Sequence, residues 1–400
     1  MKARYQYRFY PTHQQAIQLS RQFGCCRVVW NDALRMCKQA EKLPQNSDLQ
    51  KLCITQAKKT LERAWLSEVS NIPLQQSIAD LGIAYKNFFD SLKGKRKGPK
   101  VKPPRFKKKD NRQSARFRKG GFSIQGAKVY LAKIGRVKVK WSRLLPSEPS
   151  SVTVIKDRCN RYFLSFVVEI EPKIAFPLRD AVGVDLGIKT FASLSTGERV
   201  QSPGYERLNR KIKRLQRRLA RQQRGSSRRA ATRLRIAKLK SRIRNIRKDF
   251  LHKLSTRLVR DNQTVCLEDL NVSGMVKNRC LSRAISEQGW REFRVMCENK
   301  AAQHVDREVN VISRWEPTSQ ICSTCGYKWG KLDLSVRSVL CVSCGTEHDR
   351  DDNASLNIEK SGVAQSQDSK WTVNPRKPST RSNGTAQSSQ PYSKQLALFA

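Results

Sequence analysis

Two closely spaced pairs of cysteines constrain the C-terminal third of this chain more than any other feature. Cys322 and Cys325 are separated by two residues, as are Cys341 and Cys344, and fifteen residues lie between the pairs. Thiolates at this spacing bind tetrahedral zinc, and four protein ligands leave no open position on the ion. The spacing therefore predicts a structural zinc ribbon or knuckle, with residues 329–340 long enough for a small hairpin. A pair of redox motifs is the alternative, which the double spacing disfavours.

Three carboxylates stand at the ends of predicted elements. Asp185 follows an apolar strand, Glu268 follows another, and Asp351 lies in the acidic segment 349–354 at the start of a helix. Taken singly, Asp185 is an ordinary turn residue, Asp351 is a helix cap, and Asp269, beside Glu268, is a possible cap. Taken together, they predict one site for a pair of Mg²⁺ ions about 4 Å apart that hydrolyses a phosphodiester.

The overall charge indicates which partners to expect. The 400 residues carry a net charge of +47, which attracts polyanions. No stretch approaches the roughly 18–20 apolar residues of a membrane span, and the first residues lead into a strand rather than a signal peptide. We therefore expect a nucleic-acid partner, no membrane and a cytoplasmic location. Charge alone leaves a structural RNA-binding protein, such as a ribosomal protein, as the alternative.

The remaining eight of the twelve cysteines show no ligand spacing. Without a secretion signal, a reducing compartment is expected, so disulfides are not. These cysteines stand mostly among apolar residues, and we interpret them as small buried hydrophobic residues.

The N-terminal half alternates between strand and helix patterns. Residues 4–10 alternate as a strand, helical patterns run from Pro11 to about Leu92 with a break at residues 67–73, and residues 120–172 are β-rich. The first strand and the later ones could close a small barrel, with the helices inserted after the first strand. Residues 93–119 form a basic loop, which is either a solvated linker or a phosphate-binding segment with Phe106 as a stacking face. Its candidate nucleic-acid contacts are Lys95, Arg96, Lys97, Lys100, Arg105, Lys107 and Lys108.

The C-terminal half begins with a predicted hairpin over residues 180–200. Residues 205–250 then repeat apolar positions at the spacing of two paired helices, and the intervening residues are mostly basic. A solvated charged face usually mixes signs, so we favour a nucleic-acid groove. Its candidate contacts are Arg214, Arg217, Arg218 and Arg221. A strand over 265–267, a helix over 286–304, a strand over 309–313 and a helix from Ala354 follow, and the polar residues beyond 362 are predicted to be disordered.

Six segments in order along the chain resemble the TnpB family, the transposon-encoded OrfB proteins related to type V CRISPR effectors. They cover roughly residues 4 to 360, and the two that contain the cysteines and the acidic segment are the most specific. The segments are Tyr7–Pro11, Pro104–Lys107, Gly183–Lys189, Leu267–Leu270, Thr318–Gly326 and His348–Ala354.

The resemblance implies a multidomain α+β fold. Its nuclease part would be an RNase H-like (RuvC) domain, residues 176–316 and 346–362, with the zinc ribbon inserted at 317–345 and the basic helical hairpin at 205–250. Its N-terminal part would be a wedge-type β-barrel, residues 1–10 and 120–175, interrupted by a helical recognition block and the basic loop at 11–119. Residues 363–400 would be a disordered tail.

The resemblance also implies an activity. Asp185, Glu268 and Asp351 resemble the RuvC catalytic triad, whereas Asp349 and Asp352 have no catalytic counterpart. The expected function is an RNA-guided DNA endonuclease that uses a transposon-end guide RNA, double-stranded target DNA, catalytic Mg²⁺ and structural Zn²⁺, and acts as a monomer. A non-cleaving targeting or regulatory factor in transposition is the first alternative. A transposase that itself joins strands is the second, although the chain lacks the tyrosine and histidine arrangement for single-strand transposition.

Overall fold

A seven-stranded antiparallel sheet forms the N-terminal half of the chain. The computed structural model describes residues 1–371 except 97, 173 and 334. The strands are β1 Lys2–Phe9, β2 Gln113–Arg118, β3 Phe122–Gln125, β4 Lys128–Leu131, β5 Gly135–Lys140, β6 Ser151–Lys156 and β7 Tyr162–Glu169, in the order β2-β6-β7-β1-β5-β4-β3. The central strand β1 pairs with β7 along its whole length, from Lys2 opposite Glu169 to Phe9 opposite Tyr162. Because β2 and β3 are the edge strands, the closed barrel stays a prediction.

The predicted helical block follows β1 directly. Its helices are α1 His13–Gln39, α2 Asn46–Gln50 and α3 Asn71–Leu92, with irregular helical turns between α2 and α3. Thr12 and Gln15 form a reciprocal capping box at the start of α1, which explains why the helix begins there. The apolar faces of α1 and α3 pack with the inward side chains of the sheet in one core. The predicted break at residues 67–73 overlaps the end of these turns, but the sequence missed the earlier break after Gln39, and α3 already begins at Asn71.

Strand β2 corrects the predicted extent of the basic loop. Residues 113–118 pair with β6 over the whole of both strands, so they belong to the sheet and not to the loop. Ala115 and Phe117 are buried on one face, while the intervening arginines stay at least partly exposed. This alternation is typical of a half-buried strand. The sequence analysis missed the strand because Arg116 and Arg118 continue the basic composition of the preceding loop.

A five-stranded sheet organises the C-terminal half. Its strands are β8 Arg179–Asp185, β9 Ala192–Leu194, β10 Arg199–Val200, β11 Asn262–Glu268 and β12 Glu308–Ile312, in the order β10-β9-β8-β11-β12. Strands β8, β11 and β12 are parallel, whereas β9 pairs antiparallel with β8 and with β10, which confirms the predicted hairpin. The helices of this half are α4 Glu206–Ala220, α5 Ser227–Asp261, α6 Val272–Met275, α7 Ser282–Gln288, α8 Trp290–Ala301 and α9 Arg350–Trp371.

Three predicted helix boundaries need correction. The second basic helix, α5, continues to Asp261 rather than ending at 250. The single helix expected over 286–304 is two helices, because Gly289 has φ +78° and ends α7 in a left-handed conformation. Helix α9 begins at Arg350 and reaches Trp371, so the disorder predicted from residue 363 is wrong as far as 371, and residues 372–400 lie outside the described part of the chain.

Seven of the eight cysteines outside the paired motifs are buried, as predicted. Cys280 is exposed, which contradicts the prediction for that residue. Among the described residues, no helix has the length and apolar character needed to cross a bilayer.

Candidate active site and metal centre

The parallel strands β8 and β11 bring two of the predicted carboxylates to one edge of the sheet. Asp185 is the last residue of β8, and Glu268 is the last residue of β11. The preceding residues, Val184 and Leu267, are partners in the parallel register. Because parallel strands end at the same edge, Asp185 and Glu268 stand side by side.

Helix α9 supplies the third carboxylate by packing across these strands. A Cβ atom on Gly183 would lie 2.7 Å from the backbone N of Glu359 and closer still to the carbonyl oxygen of Ser355, so helix and strand touch through their backbones at this glycine. Asp185 lies two residues further along the same face of β8, about 6.6 Å on, and Asp351 lies one turn before Ser355, about 6 Å along the helix. The matching distances bring Asp351 close to Asp185.

The charges of the three residues interact. Burial is the main cause that raises the pKa of Asp185 to about 7, and the neighbouring carboxylates Glu268 and Asp351 raise it further, against a smaller opposing effect of Arg350. Burial also raises the pKa of Glu268, although the hydroxyl of Thr318 donates a hydrogen bond of 2.7 Å to its carboxylate. Hard oxygen ligands that are partly buried and carry excess negative charge fit Mg²⁺.

The other carboxylates of the acidic segment have structural partners. Asp349, not Asp351, caps α9, because its carboxylate accepts the backbone N–H groups of Asp351 at 3.0 Å and Asp352 at 3.2 Å. Arg199 of β10 forms ion pairs with Asp349 at 2.8 Å and with Asp352 at 3.0 Å. Arg199 thus engages both residues, whereas the ion pair of Asp351 within the described part of the chain is with Arg337, at 3.3 Å.

The residue next to Glu268 is also not a helix cap. The side chain of Asn271 caps the short helix α6. Asp269 instead forms ion pairs with Arg294, at 2.9 Å, and with Arg314. The cap interpretation was therefore wrong for both Asp351 and Asp269, since in each case a nearby residue performs that role.

The four paired cysteines converge on one point. Their Sγ atoms all lie within 4.8 Å of one another. The Cys322–Cys344 and Cys325–Cys341 Sγ distances are 3.7 Å and 3.6 Å. A tetrahedron with zinc–sulfur bonds of about 2.3 Å has edges of about 3.8 Å, so the cluster fits Zn²⁺.

The two halves of the cluster share one local geometry. In each half a glycine follows the second cysteine with positive φ, +78° at Gly326 and +73° at Gly345. Each glycine N–H donates to the carbonyl oxygen of the first cysteine of its pair, at 3.0 Å and 2.8 Å. The hairpin is displaced from the predicted stretch, because β13 Ser338–Leu340 pairs with β14 Glu347–Asp349 across the second cysteine pair. His348, on β14, has its Nε2 atom 3.1 Å from the Sγ atom of Cys322, so it adjoins the metal site.

The four-cysteine cluster is attached to the helix that carries Asp351. The amide of Asn353 donates to the carbonyl oxygen of Ile321 at 2.8 Å, and its oxygen accepts the backbone N–H of Ser323 at 2.8 Å. Asn357, one turn later, donates to the carbonyl oxygens of Ile321 and Thr318, both at 2.7 Å. Sequence reasoning missed these two asparagines and Arg199; two asparagines spaced i,i+4 directly after the acidic segment are the available signal.

The predicted arginines of the helical hairpin are exposed. Residues 207–248 contain no Asp or Glu, and α4 packs against α5. Arg214, Arg217, Arg218 and Arg221 are all exposed, and none of them forms a salt bridge within the described part of the chain. This face therefore carries uncompensated positive charge.

The basic loop gives a mixed result. Lys95, Lys100, Arg105 and Lys108 are exposed, Arg96 donates to the side chain of Asn87 at 2.7 Å, and Lys97 lies outside the described residues. Lys107 points inward, with its Nζ atom 3.7 Å from the ring centre of Trp30, and burial lowers its pKa. Lys107 therefore anchors the loop to α1 by a cation–π contact, which the sequence could not distinguish from phosphate binding. Phe106 remains 45% exposed.

Comparisons with known proteins agree with this arrangement. Residues 165–279 match a family model described as "Probable transposase", and residues 290–358 match one described as "Cas12f1-like, TNB domain". A relative from Streptomyces pristinaespiralis, named "Putative RNA-guided DNA endonuclease", is 42% identical over 92% of this chain and 90% of its own length. Two of the more distant relatives, from a mimivirus, carry the name TnpB-like. This chain belongs to the TnpB family.

Other matches extend over most of this TnpB family chain. The Escherichia coli protein InsQ, which carries the same description, is 31% identical over 90% of this chain and 92% of its own. A solved Cas12f1–sgRNA–target DNA complex matches with a TM-score of 0.50 and 15% identity, covering 85% of this chain and 82% of that one. The multidomain α+β fold is thus of the Cas12 kind. Residues 1–43 match a model described as "Helix-turn-helix domain", but they contain one strand and one helix.

Proposed function

We propose that this chain is an RNA-guided, Mg²⁺-dependent DNA endonuclease encoded by a transposon, acting in the prokaryotic cytosol. The observation that carries the proposal is the convergence of Asp185, Glu268 and Asp351 at one edge of the five-stranded sheet, with the pKa of Asp185 raised to about 7. The mixed order β10-β9-β8-β11-β12 supports an RNase H-like (RuvC) domain. Relatives named as RNA-guided DNA endonucleases support the substrate.

The residues of the chain have separate tasks in this proposal. Bound at the three carboxylates, a pair of Mg²⁺ ions would activate water and stabilise the leaving 3′ oxygen. Asp185, on which the charges of both Glu268 and Asp351 act, would hold the metal together with them. Thr318 orients Glu268, and the first turn of α9, fixed by Asp349 and Arg199, orients Asp351.

The basic surfaces supply nucleic-acid binding in this proposal. Base pairing with the guide selects the target, and the protein contacts backbone phosphates and a short flanking motif. Exposed contacts from the loop are Lys95, Arg96, Lys100, Arg105 and Lys108, and those from the hairpin are Arg214, Arg217, Arg218 and Arg221. The chain divides, in this proposal, into the wedge, recognition, nuclease and zinc parts given above, with β2 belonging to the wedge. The protein acts as a monomer.

Cleavage of guide-matched DNA tests the proposal. The protein is purified after expression with its native flanking transposon end, the bound RNA is sequenced, and a plasmid library matching that RNA is added with Mg²⁺. We expect guide-dependent cutting that Asp185→Asn abolishes while RNA and DNA binding persist. Asp180→Asn is the matched control, because Asp180 is an exposed aspartate in the same strand. Equal cutting by Asp185→Asn would contradict the assignment.

Two other outcomes point to the alternatives. A discrete bound RNA without cleavage at any flanking motif would favour a non-cleaving targeting or regulatory factor in transposition. Joined strands in the same reaction would favour a transposase.

A further inference from the structure

An exposed tryptophan lies on a short loop that leaves β12 opposite Glu268 and returns to the side chain of Glu268. Ile312, at the end of β12, is the register partner of Glu268, and Thr318 donates its hydroxyl to the Glu268 carboxylate at 2.7 Å. Trp315 lies midway between these two residues and is 85% exposed. Three residues span at most about 11 Å, so the Cα atom of Trp315 stays within that distance of the Cα atom of Ile312.

The loop holds the tryptophan in a defined turn. The N–H of Glu316 donates to the carbonyl oxygen of Ser313 at 3.1 Å, and the N–H of Thr318 donates to that of Glu316 at 2.9 Å. The N–H of Trp315 donates to the Ser313 hydroxyl at 3.3 Å. Indole side chains normally bury a large apolar area, and this one is presented to solvent on a fixed backbone.

One arginine adjoins Trp315, and a second lies beside the first. Arg314 is exposed next to Trp315, and its guanidinium shares the Asp269 carboxylate with that of Arg294. Glu268, Arg314, Arg294 and the exposed Arg291 line one cleft of about 470 Å³. An aromatic face with flanking guanidinium groups is the arrangement that binds single-stranded nucleic acid, since every base can stack and every linkage carries a phosphate.

We propose that Trp315 stacks on an unpaired base of the DNA strand presented at Asp185, Glu268 and Asp351, and that Arg314 contacts a neighbouring phosphate. This inference rests on the proposed function, because it names how that site receives its substrate. A nucleic acid is the better occupant than a protein, because Arg314 adds positive charge beside Trp315 in a chain of net charge +47, which favours a polyanion.

Guided cleavage by the RNA-bound protein tests the stacking. Trp315→Ala is expected to raise the DNA concentration for half-maximal cleavage about 5- to 150-fold, with the maximal rate largely retained, because stacking of one base contributes at that level. Trp315→Phe is expected to restore most of the affinity. Phe176→Ala, at a residue that is 93% exposed and far along the chain, is the control and is expected to cleave like the unmodified protein.

A series of targets, each with one abasic position near the cut, locates the contact. At the stacked nucleotide, the abasic change should raise the DNA concentration for half-maximal cleavage by the same factor for the unmodified protein. It should leave that concentration unchanged for Trp315→Ala. Guided cleavage that is identical in Trp315→Ala and insensitive to every abasic position would overturn the inference and leave the proposed function standing. The same holds if Trp315→Ala changes only the molar mass measured by light scattering, which would indicate a protein contact.

A binding measurement covers the case in which the protein does not cleave and the proposed function fails. A single-stranded oligonucleotide containing 2-aminopurine is titrated with the full chain in Mg²⁺. An affinity, read from the quenching curve, that is about 5- to 150-fold weaker for Trp315→Ala supports the stacking contact. Equal affinities of the two proteins overturn it.

Discussion

Replacement of Asp185 by asparagine tests the burial and the repulsion by neighbouring carboxylates that raise the pKa of this carboxyl, without any assay of cleavage. The pKa of this carboxyl is about 7 in the folded protein, above its ordinary value of 3.8. A raised pKa means that the folded state holds the proton more tightly than the unfolded state. The group therefore favours folding fully below pH 3.8, and this contribution is lost as the pH rises through 7.

The shift sets the size of the effect. Three pKa units correspond to about 4 kcal/mol between the protonated and ionised forms. The asparagine amide is also desolvated, so part of the burial cost remains in the variant. We expect Asp185→Asn to stabilise the Mg²⁺-free protein at pH 8.5 by about 1–3 kcal/mol. At pH 5.5 this gain should be about 2 kcal/mol smaller, because the folded Asp185 carboxyl is still protonated there and the loss of stability between pH 5.5 and 7 has not yet occurred.

Thermal melting measures this difference. The buffer is freed of Mg²⁺ by passage over resin before the protein is added, because a soluble chelator would also remove zinc. An increase of about 2–12 °C in the melting temperature of Asp185→Asn is expected at pH 8.5. Added Mg²⁺ should stabilise the unmodified protein more than the variant and so reduce the difference between their melting temperatures. Asp180→Asn should melt like the unmodified protein at both pH values.

One result would refute the reasoning. If Asp185→Asn lowers the melting temperature equally at pH 5.5 and pH 8.5, the pKa of the Asp185 carboxyl is not raised by burial and by repulsion from Glu268 and Asp351. Its side chain would then act as an ordinary hydrogen-bonding group at the end of β8.

Further predictions concern the helix contact, the zinc cluster and the basic hairpin. Gly183→Ala should lose about 3 kcal/mol or more of stability in chemical denaturation, because its Cβ would meet the backbone of α9, whereas Gly24→Ala, with its nearest neighbour 4.0 Å away, should change stability by less than about 1 kcal/mol. Cys341→Ser should abolish stoichiometric zinc in metal analysis and lower the melting temperature, while Cys280→Ser should keep the zinc. Replacing the four hairpin arginines by glutamine should reduce the slope of log affinity against log salt by up to about 3 for RNA or DNA, and an unchanged slope would remove them from the interface. These four residues are Arg214, Arg217, Arg218 and Arg221.

Features that depend on local chemistry were predictable from the sequence. The cysteine spacing gave the four ligands that converge in the structure, and the apolar runs before Asp185 and Glu268 placed both carboxylates at strand ends. Parallel strands then bring such residues together whatever the rest of the fold does. The convergence of Asp351 with the other two was predicted from the three carboxylates taken together, but its physical cause was not, because its approach depends on the close packing of α9 at Gly183.

Features that depend on competition between equivalent residues were not predictable. Asp349 and Asp351 have the same side chain, and only the actual start of α9 decides which of them caps the helix. Lys107 and Lys108 are chemically alike, yet only Lys107 lies over Trp30. Strand β2 was hidden for the same reason, since arginines on its less buried side continue the composition of the loop before it.

The order of elements along the chain has a consequence for synthesis on the ribosome. Asp185 and Glu268 are made well before α9, and α9 is the element that completes the cluster of carboxylates. At about 5–20 residues per second, the roughly 170 residues from Asp185 to Asp351 take about 8–35 s to translate. During that interval the nascent chain already carries the basic hairpin but not Asp351. The growing polypeptide is therefore expected to bind nucleic acid before it has the means to cut it.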